Sequence, residues 1–195
     1  MKTFVMIPTY NEKENIEDLI GKILKLKIQN LHIVVADDNS PDKTWKIVQK
    51  ISKKNGNVHL LLRKKDKGRG AAGKDGFIYC LNHGADVVVE MDADMSHDPK
   101  YIPSMINELK NADLVLGSRR VEGGKEIGRS AIRKMITHLA NLYIRMMLGL
   151  KVKDCNSGFR CFKREALKKI KISTFCSEKK TKAEERLERM VSFIV

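Results

Sequence analysis

The segment "ADVVVEMDADMSHDP", residues 85–99, joins an apolar run directly to a group of aspartates. The run is short and rich in valine, which predicts a buried strand over 85–92, and Asp98-Pro99 predicts the start of a helix that continues to Leu109. Asp92 and Asp94 therefore follow one another at the carboxyl end of a strand. Two neighbouring carboxylates repel each other, so this segment forms either a polar turn or a site that binds a cation.

Four further runs of the same kind predict strands, and helical patterns lie between them. Asn11 with Glu14 predicts a capping box that opens a helix through about Leu26, and Ser40-Pro41 predicts the N-cap and first position of the next helix. Apolar strands that alternate with helices predict an α/β domain with a mainly parallel sheet covered by helices on both faces. The four runs are "TFVMIP" (3–8), "LHIVVAD" (31–37), "VHLLLR" (58–63) and "ADLVLGS" (112–118).

Polar clusters follow most of these predicted strands. They are Thr9–Glu12, Asp37–Asp42, Asp92–Asp98 and Ser118–Arg120. Open parallel sheets bind ligands beyond the carboxyl ends of their strands, so the clusters are expected to meet at one edge.

Length, charge and cysteine content limit the class of protein. The 195 residues suit one domain, and 38 Lys and Arg against 24 Asp and Glu give a net charge of +14 that favours anionic partners. Nucleic acid is disfavoured, because aromatic residues are only 6% and acidic side chains crowd the predicted binding edge. The four cysteines form no CxxC pair, and neither a signal peptide nor a membrane span is legible, which predicts a soluble cytoplasmic protein with free thiols.

Each cluster has a structural and a functional interpretation. Asp92 and Asp94 form either a turn or a site for Mg²⁺ or Mn²⁺, which take carboxylate ligands and complete their shell with phosphate and water. Asp37 and Asp38 either cap a helix or accept hydrogen bonds from a ribose or base. Tyr10 could stack on a base. Position at the end of a central strand favours the metal interpretation for the first pair.

Basic residues form two further sets. Arg119, Arg120, Lys125, Arg129, Arg133 and Lys134 are either solvated surface or clamps for phosphate. The run "KKDKGRGAAGK" (64–74) could bind phosphate at a helix N-terminus, but it matches neither the Walker spacing nor GxGxxG and is interpreted as the entry to a helix. A predicted helix over 130–148 either packs on the sheet or lies on an anionic membrane surface.

The chain resembles the family 2 inverting glycosyltransferases of GT-A fold, and within them the polyprenyl-phosphate glycosyltransferases such as the dolichol-phosphate mannose synthases. The motifs that carry the resemblance occur in order over residues 3–168. They are "IPTYNEKENI", "ADDNSPDKTW", "MDADMSHDPKYIP", "GSRRVEGG", "IRKMITHLAN" and "CNSGFRCFKREAL". The resemblance implies a single Rossmann-like GT-A domain over residues 1–170.

The resemblance also implies roles for individual residues. The nucleotide would be bound by Pro8, Tyr10, Glu12, Ala36 and Asp38, and the metal-diphosphate group by Asp92, Ala93 and Asp94. Arg119 and Arg133 would bind donor or acceptor phosphate and act in catalysis together with Asp94. Ser96 stands where some members carry a glutamine that binds the metal, so it is a candidate metal ligand, directly or through water.

The activity implied is metal-dependent transfer of a sugar, mannose above all, from a nucleotide sugar to a polyprenyl phosphate such as dolichyl phosphate, with inversion. GDP-mannose is the favoured donor, a UDP-sugar is the alternative, and the acceptor places the protein at the cytoplasmic face of a membrane. Residues 171–195 depart from the family, because they form a charged tail expected to be helical or disordered. A shortened, catalytically impaired relative that still binds nucleotide sugar, or a sugar nucleotidyltransferase, are the alternatives.

Overall fold

The structure is a computed structural model that describes residues 1–118 and 157–170, positions 143 and 146, and the backbone of 190–194. Its strands are β1 (Thr3–Thr9), β2 (Leu31–Asp37), β3 (Val58–Leu62), β4 (Val87–Glu90), β5 (Leu114–Ser118), β6 (Arg160–Lys163) and β7 (Met190–Ile194). Its helices are α1 (Ile16–Lys25), α2 (Thr44–Ser52), α3 (Arg69–Asn82), α4 (Ile102–Glu108) and α5 (Arg164–Lys169), and a 3₁₀ turn (Pro99–Tyr101) precedes α4.

The strands form one mixed sheet in the order β3-β2-β1-β4-β6-β5-β7. Strands β3, β2, β1 and β4 are parallel, whereas β6 runs antiparallel to both of its neighbours, β4 and β5. The prediction of an α/β domain with a mainly parallel sheet is confirmed. The parallel strands end at the same edge, so the loops that follow β1, β2 and β4 come together there.

Helices cover both faces of the sheet, as predicted. Successive residues of a strand point to opposite sides, so a strand that is apolar throughout presents apolar side chains to helices on both faces. In β1, Val5 and Ile7 pack with α1, α2 and α4, while Phe4 and Met6 pack with α3 and α5. All four side chains are at most 1% exposed. The central strands are therefore fixed by apolar contacts on both sides, which leaves their polar ends as the free edge.

Two predicted helix starts are wrong. Helix α1 begins at Ile16 rather than after Asn11, which has a left-handed φ of 60°. Helix α2 begins at Thr44 rather than Pro41. The reason is that Ser40 Oγ does not cap a helix: it accepts a hydrogen bond from the Asn11 N–H (3.0 Å) and donates one to Asp37 (2.8 Å).

The C-terminal tail is described only at its end. Met190–Ile194 pair in parallel with β5, so these five residues form a strand rather than the helix or disorder expected there. The run "MVSFI" is apolar and can extend the open edge of β5. Residues 171–189 and 195 lie outside the described residues, as does most of the predicted helix 130–148, of which Tyr143 and Met146 are helical and exposed. In the part of the chain that is described, no helix is long and apolar enough to cross a membrane.

Candidate functional site

A cavity of about 650 Å³ lies at the carboxyl edge of the parallel strands. Four segments form its walls: the end of β1 with the residues that follow it, the residue after β2, the start of α3 with the two residues before it, and the residues after β4. The lining side chains and backbone are those of Pro8, Thr9, Tyr10, Glu12, Asp38, Lys67, Gly68, Arg69, Ala72, Asp92, Ala93 and Asp94. Seven of the predicted site residues therefore lie around one space.

The acidic wall of this cavity is the segment Asp92–Asp94. Strand β4 has already ended at Glu90, and the chain bends here, with Met95 at a left-handed φ of 60°. The bend is held by the Asp92 N–H, which donates to His97 Nδ1 (3.1 Å). The His97 ring is 4% exposed and stacks on Phe159 with centroids 5.1 Å apart, so a core histidine fixes the backbone of the acidic wall.

The two carboxylates of this wall have different neighbours. Asp92 forms an ion pair with the Arg69 guanidinium. Asp94 Oδ1 accepts a hydrogen bond from the Ser96 N–H at 3.0 Å. Burial acts to raise the pKa of Asp94, but the hydrogen bonds from the Ser96 hydroxyl and N–H outweigh it, and the pKa lies below its ordinary value. Asp94 is therefore held in the ionised form that a cation requires.

The adjacent aspartates Asp37 and Asp38 separate into two roles. Asp37 is fully buried and accepts hydrogen bonds from Thr9 Oγ1 (2.9 Å) and from the Ser40 N–H and hydroxyl (2.8 Å each). It ties the loop after β1 to the loop after β2. Asp38 lines the cavity, and its carboxylate accepts from the Gly68 N–H (2.6 Å) and pairs with Arg63.

Arg63 is a positioning residue that the sequence argument missed. Its side chain is only 4% exposed, and besides Asp38 it contacts Asp75 (Nε to Oδ2, 2.7 Å) and the carbonyl of Asp66 (2.6 Å). Burial acts to lower the pKa of Arg63, but Asp75 and Asp38 outweigh it and raise the pKa further. Arg63 thereby joins β3, the segment 64–68 and α3 into one rigid wall.

The remaining predicted nucleotide residues differ in how they face the cavity. Tyr10 lines it and is 56% exposed, so its ring is accessible to a ligand. Glu12 lines it too, and its Oε2 accepts from Asn15 Nδ2 (2.9 Å). Pro8 lies on the wall, whereas Ala36, its register partner on β2, is fully buried and is not among the lining residues.

The three remaining predicted residues are Arg119, Arg133 and Ser96. Arg119 and Arg133 lie outside the described residues. Ser96 is described, but it does not line the cavity, and its N–H and hydroxyl both serve Asp94.

The basic wall was also missed as a site. Lys67, Gly68 and Arg69 line the cavity together with the acidic wall, although the segment 64–74 was interpreted as a helix entry in preference to a phosphate site. Extending the strand-end rule to β3 would have found it, because this segment follows that strand. A spacing search fails here since the wall uses a positive helix N-terminus and two basic side chains, and needs no fixed glycine pattern.

The acidic wall offers two oxygen-donor side chains to a divalent cation. Within residues 1–118 and 157–170, no group of three or more His, Cys, Asp or Glu side chains is arranged to hold a metal ion. Mg²⁺ and Mn²⁺ do not need such a group, because they commonly take one or two carboxylates and fill their shell with phosphate oxygens and water. The donor chemistry of Asp92 and Asp94 therefore fits a metal that arrives with a phosphate ligand.

Comparison with known proteins identifies the class. Residues 4–171 match the family model described as "Glycosyl transferase family 2", so the chain belongs to glycosyl transferase family 2. It is 39% identical over 178 residues to an undecaprenyl-phosphate mannosyltransferase of Micrococcus luteus, covering 91% of this chain and 73% of that protein. It is 38% identical over 179 residues to a polyprenol monophosphomannose synthase of Mycolicibacterium smegmatis, covering 91% and 67%.

A third relative is longer than this chain. The chain is 40% identical over 177 residues to a dolichol-phosphate mannosyltransferase of Pyrococcus furiosus, covering 89% of this chain but 49% of that protein. Among solved structures, a glucosyl-3-phosphoglycerate synthase of Mycobacterium tuberculosis bound to Mn²⁺ and UDP matches with a TM-score of 0.68 at 20% identity, covering 100% of this chain and 70% of that one. This likeness confirms the GT-A fold.

Proposed function

We propose that this glycosyltransferase transfers a mannosyl group from a nucleotide sugar to a polyprenyl phosphate, with a divalent metal ion and inversion of the anomeric centre. GDP-mannose is the proposed donor. The relatives from M. luteus, M. smegmatis and P. furiosus support this choice. The name of each one combines mannose with a polyprenol, undecaprenyl phosphate or dolichol phosphate. Donor specificity for GDP over UDP is part of the proposal.

The observation that carries the proposal is the pairing of opposite charges across one cavity. Asp92 and Asp94 form one wall, and Lys67 with Arg69 at the start of α3 form another. A diphosphate is too negative to approach two carboxylates alone, but it suits a space that offers a metal on one side and cationic groups on the other. Mg²⁺ or Mn²⁺ would supply the charge that stabilises the leaving nucleotide diphosphate.

The nucleoside part of the donor has its own surfaces. In the proposal, the exposed ring of Tyr10 stacks on the base, and Glu12 and Asp38 accept hydrogen bonds from base and ribose. Asp38 is held by Arg63 and the Gly68 N–H, so its carboxylate is fixed before a ligand arrives. Pro8 and Ala93 complete the wall without bulk, and buried Ala36 lies beside Pro8 on the neighbouring strand β2.

The acceptor chemistry explains why no general base is required. A phosphate monoester has a second pKa near 6, so at neutral pH it is mostly dianionic and nucleophilic without losing a further proton. Its oxygen attacks the anomeric carbon from the face opposite the diphosphate, which inverts that centre. Arg119 and Arg133 are proposed to bind the two phosphate groups and to offset their repulsion. A polyprenyl acceptor would bring the protein to an anionic membrane surface as a peripheral protein.

The proposal is tested with the purified chain, GDP-mannose, UDP-glucose and a short-chain polyprenyl phosphate. Thermal shifts with and without Mn²⁺ report donor binding, and separate assays follow donor hydrolysis and mannosyl transfer. We expect GDP-mannose to raise Tm only when Mn²⁺ is present, and mannosyl transfer to exceed donor hydrolysis. Adding EDTA should abolish the Tm shift and the transfer. Donor binding without transfer would indicate the impaired relative, and equal binding with EDTA would refute the metal role of Asp92 and Asp94.

A further inference from the structure

The ion pair between Arg69 and Asp92 joins the basic and acidic walls of the cavity directly. Arg69 is the first residue of α3 and its side chain is 58% exposed, while that of Asp92 is 29% exposed. The pair uses Asp92 Oδ1, one of the four carboxylate oxygens that the acidic wall can offer to a metal. In this structure, therefore, a protein cation already neutralises a proposed metal ligand.

The position of Arg69 is unfavourable for helix stability. A cation in the first turn of a helix is opposed by the positive end of the helix dipole, and the first turn of α3 contains no acidic residue to offset it. Residues that break a local rule of this kind are typical of functional sites. The exposed guanidinium is therefore better explained by what it contacts across the cavity than by the stability of α3.

The backbone around the pair leaves room for it. Gly158, which precedes β6, approaches so closely that a Cβ atom there would lie 2.8 Å from both Arg69 Nη2 and Asp92 Oδ2. A larger residue at this position would press on the ends of both side chains, which would have to shift. The pair is thus enclosed on one side by the 157–159 segment and open on the other side to the cavity.

We propose that Arg69 is an exchangeable cation of this site. Its guanidinium pairs with Asp92 until the metal binds, and then moves to pair with the diphosphate of the donor. This inference rests on the proposed function. A divalent ion on Asp92 repels the guanidinium and competes for the same oxygen, so the two cannot share it. Once released, the planar guanidinium lies on the wall beside Lys67, where it can bind two phosphate oxygens at once.

The exchange predicts a specific coupling between ligands. A metal ion that binds without nucleotide must displace Arg69 from Asp92, and the loss of that ion pair weakens metal binding. When the diphosphate is present, the displaced guanidinium gains a new partner, so each ligand strengthens the binding of the other by the same factor. Part of the cooperativity between metal and nucleotide would then belong to Arg69 rather than to the direct metal–phosphate contact.

The test compares wild type with Arg69→Met, which keeps the length of the stem and removes the charge. Mn²⁺ affinity is measured by the loss of the free-ion signal in electron paramagnetic resonance, first without nucleotide and then with saturating GDP or UDP. We expect Arg69→Met to bind Mn²⁺ about two- to fivefold more tightly without nucleotide, the range that partly exposed ion pairs contribute. Its affinity for nucleotide with Mn²⁺ should fall, and so should the coupling factor.

Lys67→Met is the matched control, because it removes the same charge from the same wall while the pair on Asp92 stays in place. Equal tightening of Mn²⁺ binding in both variants would mean a general charge effect and overturn the exchange, as would unchanged Mn²⁺ affinity or coupling in Arg69→Met. Failure of the proposed function appears elsewhere, in the wild type: a wild-type chain that binds neither Mn²⁺ nor nucleotide refutes that function, and the exchange with it.

Discussion

The substitution Asp94→Asn tests whether the Asp92–Asp94 segment is a cation site or only a polar turn. Asparagine has nearly the same shape and keeps a carbonyl oxygen, so the Ser96 N–H, now 3.0 Å from Asp94 Oδ1, retains its acceptor. Relief of repulsion should be small, because Arg69 already neutralises Asp92. The pKa of Asp94 lies below its ordinary value, so the fold favours its charge. We expect the metal-free variant to change in stability by less than about 1 kcal/mol.

The ligand-bound protein should behave differently. A ligand at one hundred times its Kd stabilises the native state by about 2.7 kcal/mol, which corresponds to roughly 5–10 °C in Tm for a chain of this length. Loss of a charged ligand to the metal costs about 1.5–3 kcal/mol of binding. With binding weakened about one hundredfold, the stabilisation falls to roughly 0.4 kcal/mol and the shift to about 1 °C.

The assay measures Tm in EDTA and then with Mn²⁺ and GDP-mannose at fixed concentrations. Asp98→Asn is the matched control, since this aspartate lies in the same loop and accepts the Lys100 N–H at the start of the 3₁₀ turn. It should keep the full ligand-dependent shift. If Asp94→Asn also keeps that shift, the two aspartates of the acidic wall are turn residues and the cation site is refuted.

Three further predictions follow from other parts of the chain. Arg119→Lys should lower transfer at unchanged net charge, since a point charge replaces a bidentate clamp; an unchanged rate would return Arg119 to the protein surface. Gly76→Ala should destabilise the protein by about 1–3 kcal/mol in thermal melts, because a Cβ there would lie 2.6 Å from Cγ of fully buried Met6. The control Gly21→Ala, whose Cβ would have no atom within 4 Å, should stabilise α1 by about 0.5–1 kcal/mol. Equal effects of the two substitutions would contradict the packing argument. Burial acts to raise the pKa of Asp42, but hydrogen bonds from the loop and α2 outweigh it and lower the pKa, so its contribution to stability is present above about pH 4 and is lost as the pH falls through the lowered pKa; the stability difference between wild type and Asp42→Asn should therefore shrink in acid melts, and a difference constant to pH 3 would disprove it.

The order of the strands along the chain, and the edge that holds the site, could be predicted from the sequence. The strands β1, β2 and β4 could be predicted because each is buried on both faces and is therefore apolar throughout. The polar residues that follow them could be assigned to one site because the carboxyl ends of parallel strands lie at the same edge of the sheet. This reasoning was sufficient to bring Tyr10, Asp38, Asp92 and Asp94 to one cavity. The antiparallel insertion of β6 between β4 and β5 was not predicted, since a short strand carries no signal of which neighbours it will pair with.

The partner of each polar side chain was decided by the tertiary structure. Ser40 has the local pattern of an N-cap, yet its hydroxyl serves Asn11, which lies 29 residues away. Asp37 and Asp38 are adjacent and look alike in the sequence, but one is sealed by Thr9 and Ser40 and the other faces the cavity. Local patterns report only the hydrogen bonds that neighbours along the chain can make.

The basic wall shows the same limit for charges. Arg63 ends a predicted strand and Arg69 lies in a predicted helix entry, but their carboxylate partners Asp38 and Asp92 are 25 and 23 residues away. An ion pair depends on distance in space and on the water that burial removes, and neither quantity is written in the spacing of residues. The sequence determined which edge of the sheet carries the chemistry, and the packing of α3 against that edge decided which cation meets which carboxylate.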